Sequence, residues 1–199
     1  MSSTKSPYKQ LFTQAFALLM LVLVLPDLAT GESKETSVVR FMQLGDPQFG
    51  YGLDMKRNTS ARMKTITDQI KTIQPDFLVI PGDLVQDRTI AQHQAFKKSI
   101  RNIDVPVLMT PGNHDLENIK DLKKYREKYG NDYSVKTVGS VTIIMLNSEI
   151  LRNTKISSVE YHWQWDWLEN EIDRYMKNPV TDKSIISVSY THLTLPTKA

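Results

Sequence analysis

The feature that most limits what this 199-residue chain can fold into is a set of short, nearly continuous apolar runs: Val38 to Leu44, Phe77 to Ile80 and Val105 to Met109. Runs of this length that do not alternate with polar residues suit strands covered on both faces of a parallel sheet. The segments between them read as helices. Thr59 to Ile73 places Met63, Ile66, Ile70 and Ile73 at helical spacing, and Ile90 to Ile103 does the same with Phe96, Ile100 and Ile103. A β-α-β-α-β order implies parallel strands joined by right-handed crossovers.

Each run is followed at once by a glycine and an oxygen donor: Gly45-Asp46-Pro47-Gln48, Pro81-Gly82-Asp83-Leu84 and Pro111-Gly112-Asn113-His114-Asp115. In open α/β sheets ligands collect outside the carboxyl ends of the strands. Asp46, Asp83 and Asn113 are therefore expected to converge, although 37 and 30 residues separate them along the chain. Carboxylate and amide oxygens are hard donors for divalent cations. Asp83 is the natural bridge between two such ions, with Asp46 on one and Asn113 on the other. A pair of divalent ions generates hydroxide at neutral pH and neutralises a phosphoryl oxygen. His114 beside Asp115 suggests an imidazole oriented by a carboxylate to protonate a leaving alcohol. Taken singly, Asp83 and Asp115 also suit helix N-caps, and His114 an ordinary loop histidine. Their order, each group after a buried strand, favours a site.

This set resembles the calcineurin-like metallophosphoesterases, whose pattern runs Asp-x-His, Gly-Asp, Gly-Asn-His-Asp/Glu and then two later histidine motifs. The likeness covers residues 38 to about 187. Asp-Pro-Gln-Phe-Gly at 46–50, and Leu-Asn-Ser at 146–148 before a tryptophan-rich helix, are similar to the branch called calcineurin-like phosphoesterase domain-containing proteins. The resemblance implies an α/β fold of the layered α/β/β/α sandwich type, truncated here before its last strands. It also implies hydrolysis of a phosphate-ester substrate by a metal-activated water, with two divalent ions (Mn, Fe or Zn). The metal ligands would be Asp46, Gln48, Asp83 and Asn113, and the catalytic residues His114 and Asp115. Gln48 stands where most members have a histidine, so its weaker oxygen either binds the first metal loosely or lies behind the ligands. The alternative is a non-catalytic module on the same scaffold that binds a phosphate ligand.

Toward the amino terminus, Lys5 and Lys9 precede an apolar run from Ala15 to Leu25, followed by Pro26 and Ala29-Thr30-Gly31. This reads as a signal peptide over residues 1–31, which places the protein outside the cytoplasm, secreted or periplasmic, with no stable membrane span after cleavage. Without cysteine there are no disulfides to support the fold. A net charge of +3 with scattered basic residues gives no sign of a nucleic-acid partner. Asn58-Thr59-Ser60 matches a glycosylation sequon.

Further along, Asp121 to Tyr129 reads as a helix. Tyr133 to Val138 and Val141 to Leu146 flank Gly139-Ser140 as a hairpin that adds antiparallel strands to the sheet. Ser158 to Met176 reads as a helix that packs through a face of Trp163, Trp167, Ile172 and Tyr175 or Met176, while His93 and His162 read as ordinary helix residues. Ser184 to Val188 begins another strand, where the resemblance places the next metal-binding histidine. Residues 188–199 instead resemble a translated sequencing adapter, so they are expected to be non-native and His192 is not taken as that ligand. The domain expectation is a signal peptide at 1–31, the amino-terminal part of the phosphoesterase domain at 38–187, and that tail. The chain as written is expected to bind metal weakly, to expose an unpaired strand edge and to hydrolyse little or nothing.

Overall fold

The computed structural model describes residues 38–50, 55–177 and 184–191. The expected signal segment and His192 lie outside the described residues. The elements run β1 (Phe41–Gln43), α1 (Met55–Ile73), β2 (Phe77–Ile80), α2 (Ile90–Ile100), β3 (Val107–Met109) and α3 (Ile119–Tyr129). They continue with β4 (Ser134–Val138), β5 (Val141–Leu146), α4 (Ser148–Arg152), α5 (Ser158–Lys177) and β6 (Ser184–Ser189).

The first three strands form a parallel sheet in the order β1-β2-β3, as the apolar runs and intervening helices required. Only the central strand is covered on both faces. Every residue of β2 is buried, whereas β1 and β3 are partly exposed and Val38 is largely so. A flanking strand has a neighbour on one side alone, so a continuous apolar run does not by itself fix the depth of burial.

The side chains of β2 alternate between two cores, as the pleat demands. Leu78 and Ile80 pack with Met63 and Ile70 of α1, Phe96 of α2, and Leu122 and Tyr125 of α3. Phe77 and Val79 face the other way, onto Ile143 and Met145 of β5. The Gly139-Ser140 hairpin forms with β4 and β5 antiparallel, and Gly139 turns the chain at φ +54°. It does not extend the first sheet. Together with β6, parallel to β5, it makes a second three-stranded sheet. The result is a layered α/β sandwich, with helices α1 to α3 on the first sheet and the second sheet against its other face.

Among the described residues Ser157 caps α5 by accepting from the Glu160 N–H at 3.2 Å, and three more side chains cap α2, α3 and α4. Thr89 accepts from the Gln92 N–H at the start of α2, Asn118 from Lys120 and Asp121 at α3, and Asn147 from Ile150 at α4. Asp83 and Asp115 are not among them, so neither carboxylate is accounted for as a cap. In α5 the buried side chains are Glu160, Gln164, Trp165 and Leu168. Trp163, expected in the core, is 58% exposed, and Trp167 instead packs at a tilt against Tyr133 with ring centroids 4.8 Å apart.

Candidate metal centre

The carboxyl ends of β1, β2 and β3 lead into loops that hydrogen-bond to one another before any side chain is counted. Gln48 N–H donates to the Asp83 carbonyl at 2.8 Å, Phe49 N–H to that of Leu84 at 3.1 Å, and Gln86 N–H to that of Phe49 at 3.0 Å. Asp115 binds the third loop to the second. Its two carboxylate oxygens accept from the N–H groups of Leu84, Val85 and Gly112 at 2.9 to 3.2 Å. Burial pushes this carboxyl up to about 7, against the pull of those backbone donors.

Asp46, Gln48 and Asp83 all have left-handed backbone, at φ 44°, 36° and 51°. Residues with a side chain avoid this region, and where they are held in it the strain tends to mark a site. Gly112 has a different task, because a Cβ there would strike the Asp83 carboxylate and its backbone nitrogen. The missing side chain is what lets the second and third loops close on each other.

Asp83, fully buried, stands at the middle of the donors. Its Oδ1 accepts from the His114 N–H at 2.9 Å, and its Oδ2 from Gln48 Nε2 at 3.2 Å. Gln48 therefore touches Asp83 and steadies it. The phenol oxygen of Tyr190, the residue after β6, lies 2.7 Å from Asp83 Oδ2 and 2.6 Å from Asn113 Oδ1. A phenol carries one proton and can donate to only one of these acceptors. Carboxylate and amide oxygens gathered at one buried point are hard donors of the kind a divalent cation takes. Nearby, Glu149 Oε1 is buried without a hydrogen-bond partner among the described residues. The Glu149 carboxyl is raised by burial above the usual carboxylate range, with a further contribution from Asp83. The other oxygen of Glu149 pairs with Arg152 at 2.7 Å, so Oε1 is left as a hard donor of the kind a divalent ion takes. Among the described residues no three His, Cys, Asp or Glu side chains gather as a metal cluster; the donors here are carboxylate, amide and phenol oxygens.

The family profile of the calcineurin-like phosphoesterases matches residues 39–196, most of the chain. This chain belongs to that family. Among curated proteins it is similar to a "Probable cyclic nucleotide phosphodiesterase" of Vesicomyosocius okutanii, 35% identical over 91 residues, which are 46% of this chain and 37% of that protein. It is also similar to "Serine/threonine-protein phosphatase CPPED1" of Danio rerio, 27% identical over 176 residues, covering 76% of this chain and 57% of the relative. The human protein of the same name is 28% identical over 110 residues, 50% of this chain and 35% of its own length. The chain spans from 20% to 57% of the length of these and the other first relatives it matches.

For a calcineurin-like phosphoesterase the loops bring together most of the residues that the strand-end signatures singled out. Asp83, Asn113, His114 and Gln48 are linked by direct contacts through Asp83 or the Tyr190 hydroxyl. Asp46 lies on the exposed rim of the same first loop, and its charge acts on Tyr190. The expected pairing of His114 with Asp115 is not made. Asp115 is held by backbone amides, and the imidazole Nδ1 instead lies 2.9 Å from the Gln86 carbonyl. A carbonyl only accepts, so Nδ1 bears a proton and Nε2 is left to give or take one. Gln86 could not be found from sequence, since it contributes through its backbone. Tyr190, which meets Asp83 and Asn113, falls in the stretch 188–199 that reads from sequence as non-native.

Proposed function

We propose that the chain is a metal-dependent phosphoesterase domain whose strand-end loops hold divalent cations through Asp46, Asp83 and Asn113, with Gln48 holding Asp83 in place. The observation that carries this reading is the convergence of the three strand-end loops on the fully buried Asp83 carboxylate, which both the Gln48 amide and the His114 N–H meet. Divalent ions bound there supply an activated nucleophile at neutral pH and charge neutralisation for a phosphoryl oxygen. The rest is done by the chain. Asp115 fixes the loops, the Gln86 carbonyl sets the imidazole of His114, and His114 Nε2 delivers a proton to the leaving alcohol. Mn, Fe and Zn all suit these donors.

The substrate is a phosphate ester, and the relatives' names include both a diesterase and a protein phosphatase. The amino-terminal reading places the protein outside the cytoplasm after removal of residues 1–31, and residues 188–199 are read as a non-native tail. Turnover by this chain is expected to be low. Gln48, standing where most members have a histidine and bonded to Asp83, also favours a second reading, a module that binds a phosphate ligand without hydrolysing it.

The test is hydrolysis of 4-nitrophenyl phosphate and of its bis-ester by the 199-residue chain in Mn²⁺, beside His114→Ala and a chelated control. Slow turnover that needs Mn²⁺ and falls by ~10² or more in His114→Ala supports the enzyme. Phosphate binding with no turnover supports the module. Turnover untouched by chelator or by His114→Ala contradicts the mechanism.

A further inference from the structure

Arg88 lies on the second loop, five residues beyond Asp83, and its backbone is left-handed at φ 59°. A residue with a side chain is held in that region only where its surroundings dictate the backbone. The guanidinium reaches across to the third loop. Nη1 donates to the His114 carbonyl at 3.1 Å and Nη2 to Glu117 Oε2 at 2.8 Å, while Nε lies 3.8 Å from Asp121 Oδ2. The ion pair does not account for the strained backbone, because the Glu117 side chain is 70% exposed and pairs of that exposure stabilise little. The bond to His114 is different. With it, three residues of one loop fasten three polar groups of His114: Asp83 Oδ1 accepts from the N–H at 2.9 Å, the Gln86 carbonyl meets Nδ1 at 2.9 Å, and Arg88 holds the carbonyl.

We propose that Arg88 is a positioning residue for His114: it fixes the backbone of His114 against the loop that carries Gln86, and so keeps the imidazole in the Nδ1–H form with Nε2 left to deliver the proton. This rests on the reading of His114 as the acid. The tautomer of a neutral imidazole is set by the bond its other nitrogen makes, and the bond from Nδ1 to the Gln86 carbonyl forms only while ring and carbonyl stay in register. Asp115 already closes the two loops through Leu84, Val85 and Gly112. Loss of Arg88 therefore leaves the fold standing and releases the ring. The planar fork of a guanidinium meets the His114 carbonyl and Glu117 at once, which the single ammonium of a lysine does not reproduce.

The ¹⁵N spectrum of the histidine rings in the full chain, recorded with chelator at about pH 9 where imidazole is neutral, tests this without turnover. His114→Ala identifies the signal. The parent should show mainly the Nδ1–H form, and Arg88→Lys and Arg88→Ala should lose it as the main form while their circular dichroism stays that of the parent. Arg88→Lys decides the matter if Arg88→Ala does not fold. In Mn²⁺, Arg88→Lys should slow phenyl phosphate hydrolysis about tenfold and 4-nitrophenyl phosphate much less, because the poorer leaving alcohol depends more on the proton. A merely structural loss would slow both esters alike. The parent's tautomer kept in both variants overturns the proposal, and so does equal slowing of the two esters. A changed tautomer in Arg88→Lys beside a His114→Ala as active as the parent refutes instead the acid role of His114, and the positioning role falls with it.

Discussion

Asp115 shows how much one side chain can contribute without touching the reacting groups. A carboxylate has the acceptors to satisfy several N–H donors, and here three backbone amides from two loops converge on it in a buried place. Asp115→Asn keeps the shape but turns an amide NH₂ toward those donors. It should lower stability in urea unfolding by about 2 kcal/mol and weaken Mn²⁺ binding, because Asp83 follows Leu84 when the loop moves. An unchanged unfolding midpoint would show that the loops close without it. At this scale the sequence identified donor types well and their partners poorly. Asp83 and Asn113 were legible because each directly follows a strand and a glycine. The neighbour relation of His114 and Asp115 in sequence was misleading, because adjacent residues in a tight loop point to different surroundings.

Elements were legible where periodicity was strong. The span of β2 and the start of α2 agree with the apolar pattern, and α5 differs from expectation by one residue at its end. The packed face of α5 was not legible, because three tryptophans dominate the hydrophobic pattern while the structure buries Gln164 against the backbone of Asn147. Leu168→Ala should therefore cost about 2 to 5 kcal/mol in chemical unfolding, while Trp163→Ala should stay within about 0.5 kcal/mol of the parent. The reverse order would restore the sequence-based face.

Between α2 and α3, His93 Nδ1 lies 2.7 Å from the Tyr129 hydroxyl in an aromatic cluster with Phe96 and Tyr125. Burial, helped by Lys128 and Lys124, pulls the imidazole down to about 4 from 6.5. The unfolded chain then binds a proton that the folded chain refuses. The contribution of His93 is complete above pH 6.5 and is lost as pH falls toward about 4. Unfolding of His93→Gln across that window should show a flatter acid-side decline than the parent. Equal slopes would place the acid sensitivity elsewhere.

The whole domain is tied together by buried polar contacts as well as by its two apolar cores. Thr110 Oγ1, just past β3, lies 3.1 Å from the Asp132 carbonyl and 2.9 Å from that of Leu146, linking the two sheets. Arg126 of α3 donates to Asp132 through Nε and to both oxygens of Glu160 on α5 at 2.7 and 2.9 Å. Asp132 in turn accepts from Asn147 Nδ2 at 2.7 Å. The Leu-Asn-Ser stretch at 146–148 thus caps α4, joins the sheets and, through Ser148, donates to the Tyr190 carbonyl at the end of β6. None of these long-range bonds follows from spacing, whereas the parallel sheet and its loop-edge site do, because strand ends in a β-α-β array have one edge at which to meet.

Thermal unfolding in millimolar Mn²⁺ is the most direct test that this edge is a cation site centred on Asp83. A ligand that binds only the folded state raises the melting temperature. The parent chain should shift upward with Mn²⁺ and Asp83→Asn should not; equal shifts in the two proteins, or none in either, would contradict the site.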